Sequence, residues 1–232
     1  MIEIRPFAQL GNAQHGWLNA HHHFSFASYH DPKRMGWGQL RVWNDDAIAP
    51  HAGFPTHPHQ DMEIITYVRQ GAITHKDSLG NQGRTEAGDV QVMSAGTGIA
   101  HSEFNLEDTT TQLFQIWIQP DQVGLPPSWG AKPFPKGERA GAFVILASGY
   151  AEDREALPIR VRARLAAATL QAGQQVEYPL GKLRKAYLVG ASGSFEINGV
   201  SAQARDGVAV SDLDLLQITA IEDSEIVLVD VA

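Results

Sequence analysis

The chain of 232 residues contains no cysteine. Disulfides and thiolate metal ligation are therefore excluded, and a reducing compartment fits. Any metal must be held by histidine, carboxylate or water. Histidine is itself missing from more than half of the chain: all ten lie at or before His101, and the 131 residues after it hold none. A histidine-based site must belong to the first half. A basic excess is missing too, with Lys plus Arg at 18 against Asp plus Glu at 26 and a net charge of −8. That balance disfavours direct binding to a nucleic-acid backbone. No apolar run approaches the roughly 20 residues of a membrane-spanning helix, and MIEIRPFAQL lacks a basic segment leading into an apolar one. The expectation is a cytoplasmic protein with no membrane partner.

What is present is β-rich. From Glu63 onward, short apolar and β-branched runs (EIITYV, DVQVM, LFQIWI, AFVIL, AYLVG, EIVLVDV) alternate with Gly, Asn, Asp and Pro punctuation, the pattern of an all-β sandwich or barrel. EDREALPIRVRARLAAATL has some helical periodicity, but Pro158 and the β-branched IRVR favour a strand, with room for a short helix nearby. Between Gln119 and Gly141 five prolines and four glycines mark a connection. A faint repeat links TYVRQGAITH and AGDVQVMS to AYLVGASGSFEINGV and RDGVAVSD, with Asn198-Gly199 as a two-residue hairpin turn. We therefore expect two domains: residues 1–125, a connection at 126–140, and residues 141–232.

The chemistry concentrates in FPTHPHQDMEI and AGDVQVMSAGTGIAHSEFN. In a strand, residues i and i+2 share a face with Cα atoms about 6.6 Å apart, at a rise of about 3.3 Å per residue. His57 and His59 meet that condition, as do His101 and Glu103. Pro58 cannot donate to a ladder, so its segment should lie at an edge, a bulge or a strand start. Two such pairs on two strands could build a three-histidine, one-carboxylate site. Such nitrogen and oxygen donors suit first-row divalent metals without choosing among them. A lone His-x-His is more often a hydrogen-bonded surface pair; the conjunction of two clusters favours the metal reading.

The first cluster, with Gly53, His57, His59, Glu63 and Gly71, resembles the first cupin motif; the second, with Gly88, Gly96, His101 and Asn105, resembles the second. Gly53 stands two residues closer to His57 than the general pattern has it, and Ser94 replaces a proline. These departures, with HGWLNAHHHFSFASYHDP, RVWNDDAIAPHAGFPTHPHQDMEIITYVRQG, MSAGTGIAHSEFN and LFQIWIQP, make the chain similar to the pirin family, especially its bacterial quercetinase-type members. The resemblance covers about the first 120 residues strongly and the rest in outline. It implies an all-β bicupin: two double-stranded β-helix (jelly-roll) barrels packed face to face, with metal only in the N-terminal one. Carried over to this chain, the ligands are His57, His59, His101 and Glu103. General cupins use the glutamate of the first motif, so Glu63 competes; we expect it beside the ligands or in the barrel wall.

The resemblance further implies a quercetin 2,3-dioxygenase-type enzyme that cleaves a flavonol-like substrate with O2 and releases carbon monoxide. Glu103 is its expected catalytic carboxylate. One divalent metal is expected, iron(II) ahead of Mn, Ni, Cu, Co or Zn. The alternative is a metal-containing regulatory protein acting through a protein partner. His21, His22 and His23 are read as structural or pocket-lining, Asp45-Asp46 as a turn cap, and Phe24, Phe26, Trp37, Trp43 and Trp117 as core, with some available to line a pocket.

Overall fold

The computed structural model describes all 232 residues, folded into β-strands and two 3-10 turns with no α-helix. The helix allowed for near residues 152–170 does not form. Leu157–Pro158 and Arg164–Leu170 are strands, and Leu165 through Ala168 are buried in succession, as suits a strand covered on both faces. The chain divides into two compact units: Gly11–Phe134 with Leu157–Val161, and Met1–Leu10 with Pro135–Ala156 and Arg162–Ala232. All ten histidines fall in the first of these.

In the histidine-bearing unit the strands run β2 (Gly11–Gln14), β3 (Leu18–His22), β4 (Leu40–Ile48), β5 (Ala52–His59), β6 (Glu63–Gln70), β7 (Ala72–Asp77), β8 (Gln82–Glu86), β9 (Val90–Ser94), β10 (Ile99–Asn105), β11 (Thr111–Ile118) and β12 (Ser128–Lys132), after β1 (Ile2–Arg5). They form two open sheets of jelly-roll type, ordered β12-β9-β6-β11-β4-β3-β2 and β5-β10-β7-β8. The central strands β6 and β11 of the larger sheet are buried on both faces along most of their length, which is why EIITYV and LFQIWI read as continuous apolar runs rather than alternating ones. The segment 126–140, expected to be only a connection, contains β12, paired to β9 from Ser128 opposite Ser94 to Lys132 opposite Val90. Its prolines flank the strand instead of interrupting it, with Pro126 and Pro127 before and Pro133 after, so the ladder loses no donor.

The histidine-free unit repeats this plan eleven strands later. It comprises β13 (Val144–Ser148), β15 (Arg164–Leu170), β16 (Gln175–Pro179), β17 (Lys185–Ser192), β18 (Phe195–Ile197), β19 (Val200–Ala202), β20 (Gly207–Ser211), β21 (Leu215–Ala220) and β22 (Ser224–Val231); the short β14 (Leu157–Pro158) belongs to the other unit. The orders β9-β6-β11-β4 and β5-β10-β7-β8 recur as β20-β17-β22-β15 and β16-β21-β18-β19. Asn198 and Gly199, with φ of 47° and 84°, make the β18–β19 hairpin turn. The strand β1 pairs with β20 here, Ile2 opposite Val210, and Ile2 and Ile4 pack on this unit's apolar core. The first ten residues thus belong to the unit that lies later in sequence.

Candidate metal centre

Alternation along the inward faces of the histidine-bearing unit lays down three layers. Leu18, Ile48, Val68, Ile73 and Leu113 form an apolar base, and Ile64, Met93, Ala95 and Ile99 a second apolar cluster with Trp117 against it. Between Leu113 and Trp117 on β11 comes Gln115, and between Val68 and Ile64 on β6 comes Thr66. Both are buried polar side chains on the same inward face.

The polar layer converges on one carboxylate. Glu103 Oε1 accepts from Thr66 Oγ1 at 2.9 Å and Gln91 Nε2 at 2.6 Å, and Oε2 accepts from Gln115 Nε2 at 2.7 Å. Three donors on a group 3% exposed offset the cost of burying its charge.

The histidines stand at the open end of the same cleft. β5 is an edge strand bonded only to β10, as Pro58 requires, and His57 lies directly opposite His101 in that pairing. A register shift follows between His101 and Glu103. β10 otherwise alternates cleanly, placing Ile99, His101, Glu103 and Asn105 inward. Gly53 lets the two strands close: a Cβ there would lie 2.2 Å from the carbonyl oxygen of Glu103. Ring centroids are 4.8 Å apart for His57 and His59, 4.6 Å for His57 and His101, and 5.0 Å for His59 and His101. One ring nitrogen from each lies within 4.8 Å of the others.

This donor set fits a divalent metal. His57 Nδ1 is 2.7 Å from the carbonyl oxygen of Pro55, an acceptor that demands the Nδ1–H tautomer and leaves Nε2 bare. Burial, then repulsion from His101 and His57, lowers His59 to about 4. Burial, then repulsion from His57 and His75, lowers His101 to about 3. Both are neutral imidazoles at ordinary pH, as a ligand must be. The close group contains the three histidines and not Glu103, whose oxygens are engaged by Thr66, Gln91 and Gln115. Glu63 sits on the other face of β6 from Ile64 and Thr66. Its Oε2 accepts from Ser94 Oγ at 2.6 Å, and burial raises its pKa against that bond and Arg160.

The cleft, about 330 Å³, is lined by Leu18, Ala20, Phe26, Phe54, Ile64 and Trp117 together with the histidines and Glu103. Trp117 meets His59 edge to face at 5.0 Å and Phe26 at 5.5 Å. Phe26 and Trp117 therefore line the pocket, whereas Phe24 and Trp43 are buried core and Trp37 is half-buried. His22 also lines the cleft, with Nδ1 2.8 Å from Asn44 Oδ1, and His23 is buried. Asp45 and Asp46 do not cap a turn; both lie within β4 and point to opposite faces. Asp45 takes Arg69 as an ion partner, while Asp46 reaches the cleft. Burial first, then Asp45 and Glu103, pushes Asp46 well above the usual carboxylate range, and its Oδ1 is buried without a hydrogen-bond partner.

Sequence reasoning missed the polar layer of Thr66, Gln91 and Gln115, which no local motif marks. It also missed His75 and Asp77, which the i, i+2 spacing in THKD could have flagged.

Comparison with known proteins agrees with this architecture. The family model described as Pirin matches residues 3–118, and that described as Quercetinase C-terminal cupin domain matches residues 145–231. A pirin-like protein of Caulobacter vibrioides is 64% identical over 232 residues, 100% of each chain. A quercetin 2,3-dioxygenase of Escherichia coli (strain K12) is 42% identical over 231 residues, 99% of this chain and 98% of its own. The crystal structure of the bacterial pirin YhhW from Escherichia coli, in complex with nickel(II), superposes with a TM-score of 0.93 at 40% identity, covering 100% of this chain and 99% of that one. With both halves matched and relatives shared along the whole length, the chain belongs to the pirin family.

Proposed function

We propose that the protein is a metal-dependent dioxygenase of the quercetin 2,3-dioxygenase type, acting on a flavonol-like aromatic substrate with O2. The observation that carries this reading is the cluster His57, His59 and His101, with ligand atoms within 4.8 Å of one another, opening into an apolar, aromatic-walled cleft. These three residues would hold the metal, with Glu103 as the fourth candidate ligand. When bound, the metal supplies Lewis-acid and redox chemistry toward the substrate and O2.

The chain's own residues do the rest. Phe26, Phe54 and Trp117 give flat, water-excluding walls suited to fused aromatic rings. Glu103 is the carboxylate that takes the substrate hydroxyl proton. Oε2 accepts only from the amide of Gln115, so this oxygen keeps a lone pair for that proton. Asp46 also lines the cleft, and its pKa, raised well above the ordinary carboxylate value by burial, suits it to donate a proton. Cleavage of the oxygenated ring releases carbon monoxide and leaves a depside.

The test is oxygen uptake with quercetin by metal-free protein reconstituted anaerobically with Fe(II), Mn, Ni, Co, Cu or Zn in turn, with His57→Ala as control. Uptake that needs a metal and vanishes in the variant is the expected result. Stoichiometric metal binding without uptake in any reconstitution would move the assignment to a regulatory protein acting through a partner.

A further inference from the structure

Behind His101, away from the cleft mouth, lies a second histidine that the ligand set does not use. His75 on β7 is fully buried, and its ring lies flat on Trp129 with centroids 4.8 Å apart and planes 10° apart. β7 and β10 are antiparallel neighbours, with Asp77 opposite His101 and His75 opposite Glu103. His75 and Asp77, two residues apart, share the inward face of their strand.

The hydrogen-bond roles in this group follow one from another. Asp77 Oδ1 accepts from the backbone N–H groups of Leu79 and Asn81, and Oδ2 accepts from Asn81 Nδ2 at 2.9 Å. The carboxylate is thus held in place and acts only as an acceptor. His75 Nε2 is 3.0 Å from Asp77 Oδ2 and must carry the hydrogen. In the neutral form of His75 that one N–H is its only hydrogen on nitrogen, and Nδ1 then presents a lone pair. That lone pair faces His101 Nδ1 at 3.4 Å. His101 must then supply the hydrogen at Nδ1, which leaves its Nε2 bare. His57 reaches the same tautomer through the Pro55 carbonyl.

We propose that Asp77 and His75 are positioning residues that hold His101 in its Nδ1–H tautomer and fix its ring, so that Nε2 is presented to a divalent metal beside His57 and His59. The inference rests on the three-histidine metal site but not on any particular reaction. A carboxylate–histidine–histidine chain carries the restraint one residue deeper than a ligand bonded to a carboxylate directly.

The test reads tautomer and metal affinity, not turnover. Long-range proton–nitrogen correlation spectra of the metal-free protein, labelled with nitrogen-15 at histidine, report which ring nitrogen of each histidine carries hydrogen. The wild type is expected to show His101 as Nδ1–H; a wild-type His101 protonated at Nε2 overturns the proposal, whatever any variant does. In His75→Phe, which keeps the stack on Trp129, His101 should become a mixture of tautomers while His57 stays Nδ1–H. Nickel(II) affinity, measured by chelator competition, should fall about 10- to 100-fold. His75→Gln, able to donate to Asp77 and accept from His101, should recover most of that loss. A His75→Phe protein that retains the wild-type His101 tautomer and binds nickel(II) within twofold of wild type refutes the assignment. Wild type that binds no nickel(II) sinks the metal reading itself, and its His101 spectrum still decides the tautomer question.

Discussion

Gln115→Met keeps side-chain length and volume close to native but deletes the amide that bonds Glu103 Oε2 at 2.7 Å. Glu103 is buried, and its other two donors, Thr66 and Gln91, both sit on Oε1. The substitution therefore strands one oxygen of a buried carboxylate. The same change removes the weaker bond from Thr66 Oγ1 to Gln115 Oε1 at 3.2 Å. Loss of a hydrogen bond to a charged group costs about 1.5–3 kcal/mol, and the stranded acceptor places this case near the top of that range. For a chain of this size 1 kcal/mol moves Tm by about 2–4 °C, so metal-free Gln115→Met should melt roughly 5–12 °C below wild type. Differential scanning calorimetry of both proteins, stripped of metal and repeated at saturating nickel(II), is the assay. If Glu103 joins the histidines on a metal, the freed oxygen gains a partner and the deficit narrows in the loaded protein. A metal-free Gln115→Met that melts within about 1 °C of wild type would show that the polar layer does not hold Glu103, and the argument for its engaged state fails.

Two further outcomes follow from the same region. In the metal-free protein, burial and mutual repulsion lower His59 to about 4 and His101 to about 3, whereas the unfolded chain takes up those protons near 6.5. Their contribution to stability is complete above 6.5 and is lost progressively as pH falls from 6.5 to about 4 for His59 and about 3 for His101. The urea midpoint should drop between pH 7 and pH 5, and less steeply in His101→Gln; equal slopes for the two proteins would contradict the assignment. On the opposite face of β4, Asp45→Ala removes the ion partner of a nearly buried Arg69, whose guanidinium also lies 4.8 Å from the Phe114 ring centroid. The expected cost is about 3 kcal/mol or more, read in the same melting experiment, with Asp45→Asn milder.

The clustering of His57, His59 and His101 was legible because strand geometry makes i, i+2 pairs convergent, and because Pro58 announced an edge that the β5 pairing bears out. The all-β class was legible from its punctuation, and the recurrence of strand order eleven strands apart explains the faint repeat. Asp45 and Asp46 misled because two acidic residues in succession read as a turn. Only Arg69 on the next-but-one strand, and a cleft that raises the Asp46 pKa, let β4 carry them. The Pro-rich stretch misled because prolines were weighed by number rather than by place; all of them flank β12. Partners that meet only across the sheets, such as Gln91, Gln115 and Thr66 around Glu103, leave no local trace.

The pairing of Ile2 with Val210 sets an order of events during synthesis. The strand Ile2–Arg5 is made well before its partner, which emerges on the order of 200 residues later, roughly 10–40 s at ribosomal speeds. Residues 11–161 include everything the histidine-bearing unit needs, so the histidines can gather before β20 exists. Until β1 docks, β20 is an uncovered apolar edge, the kind of surface on which nascent chains join one another. The four residues Ile2–Arg5 thus act as the closing latch of a half made long after them.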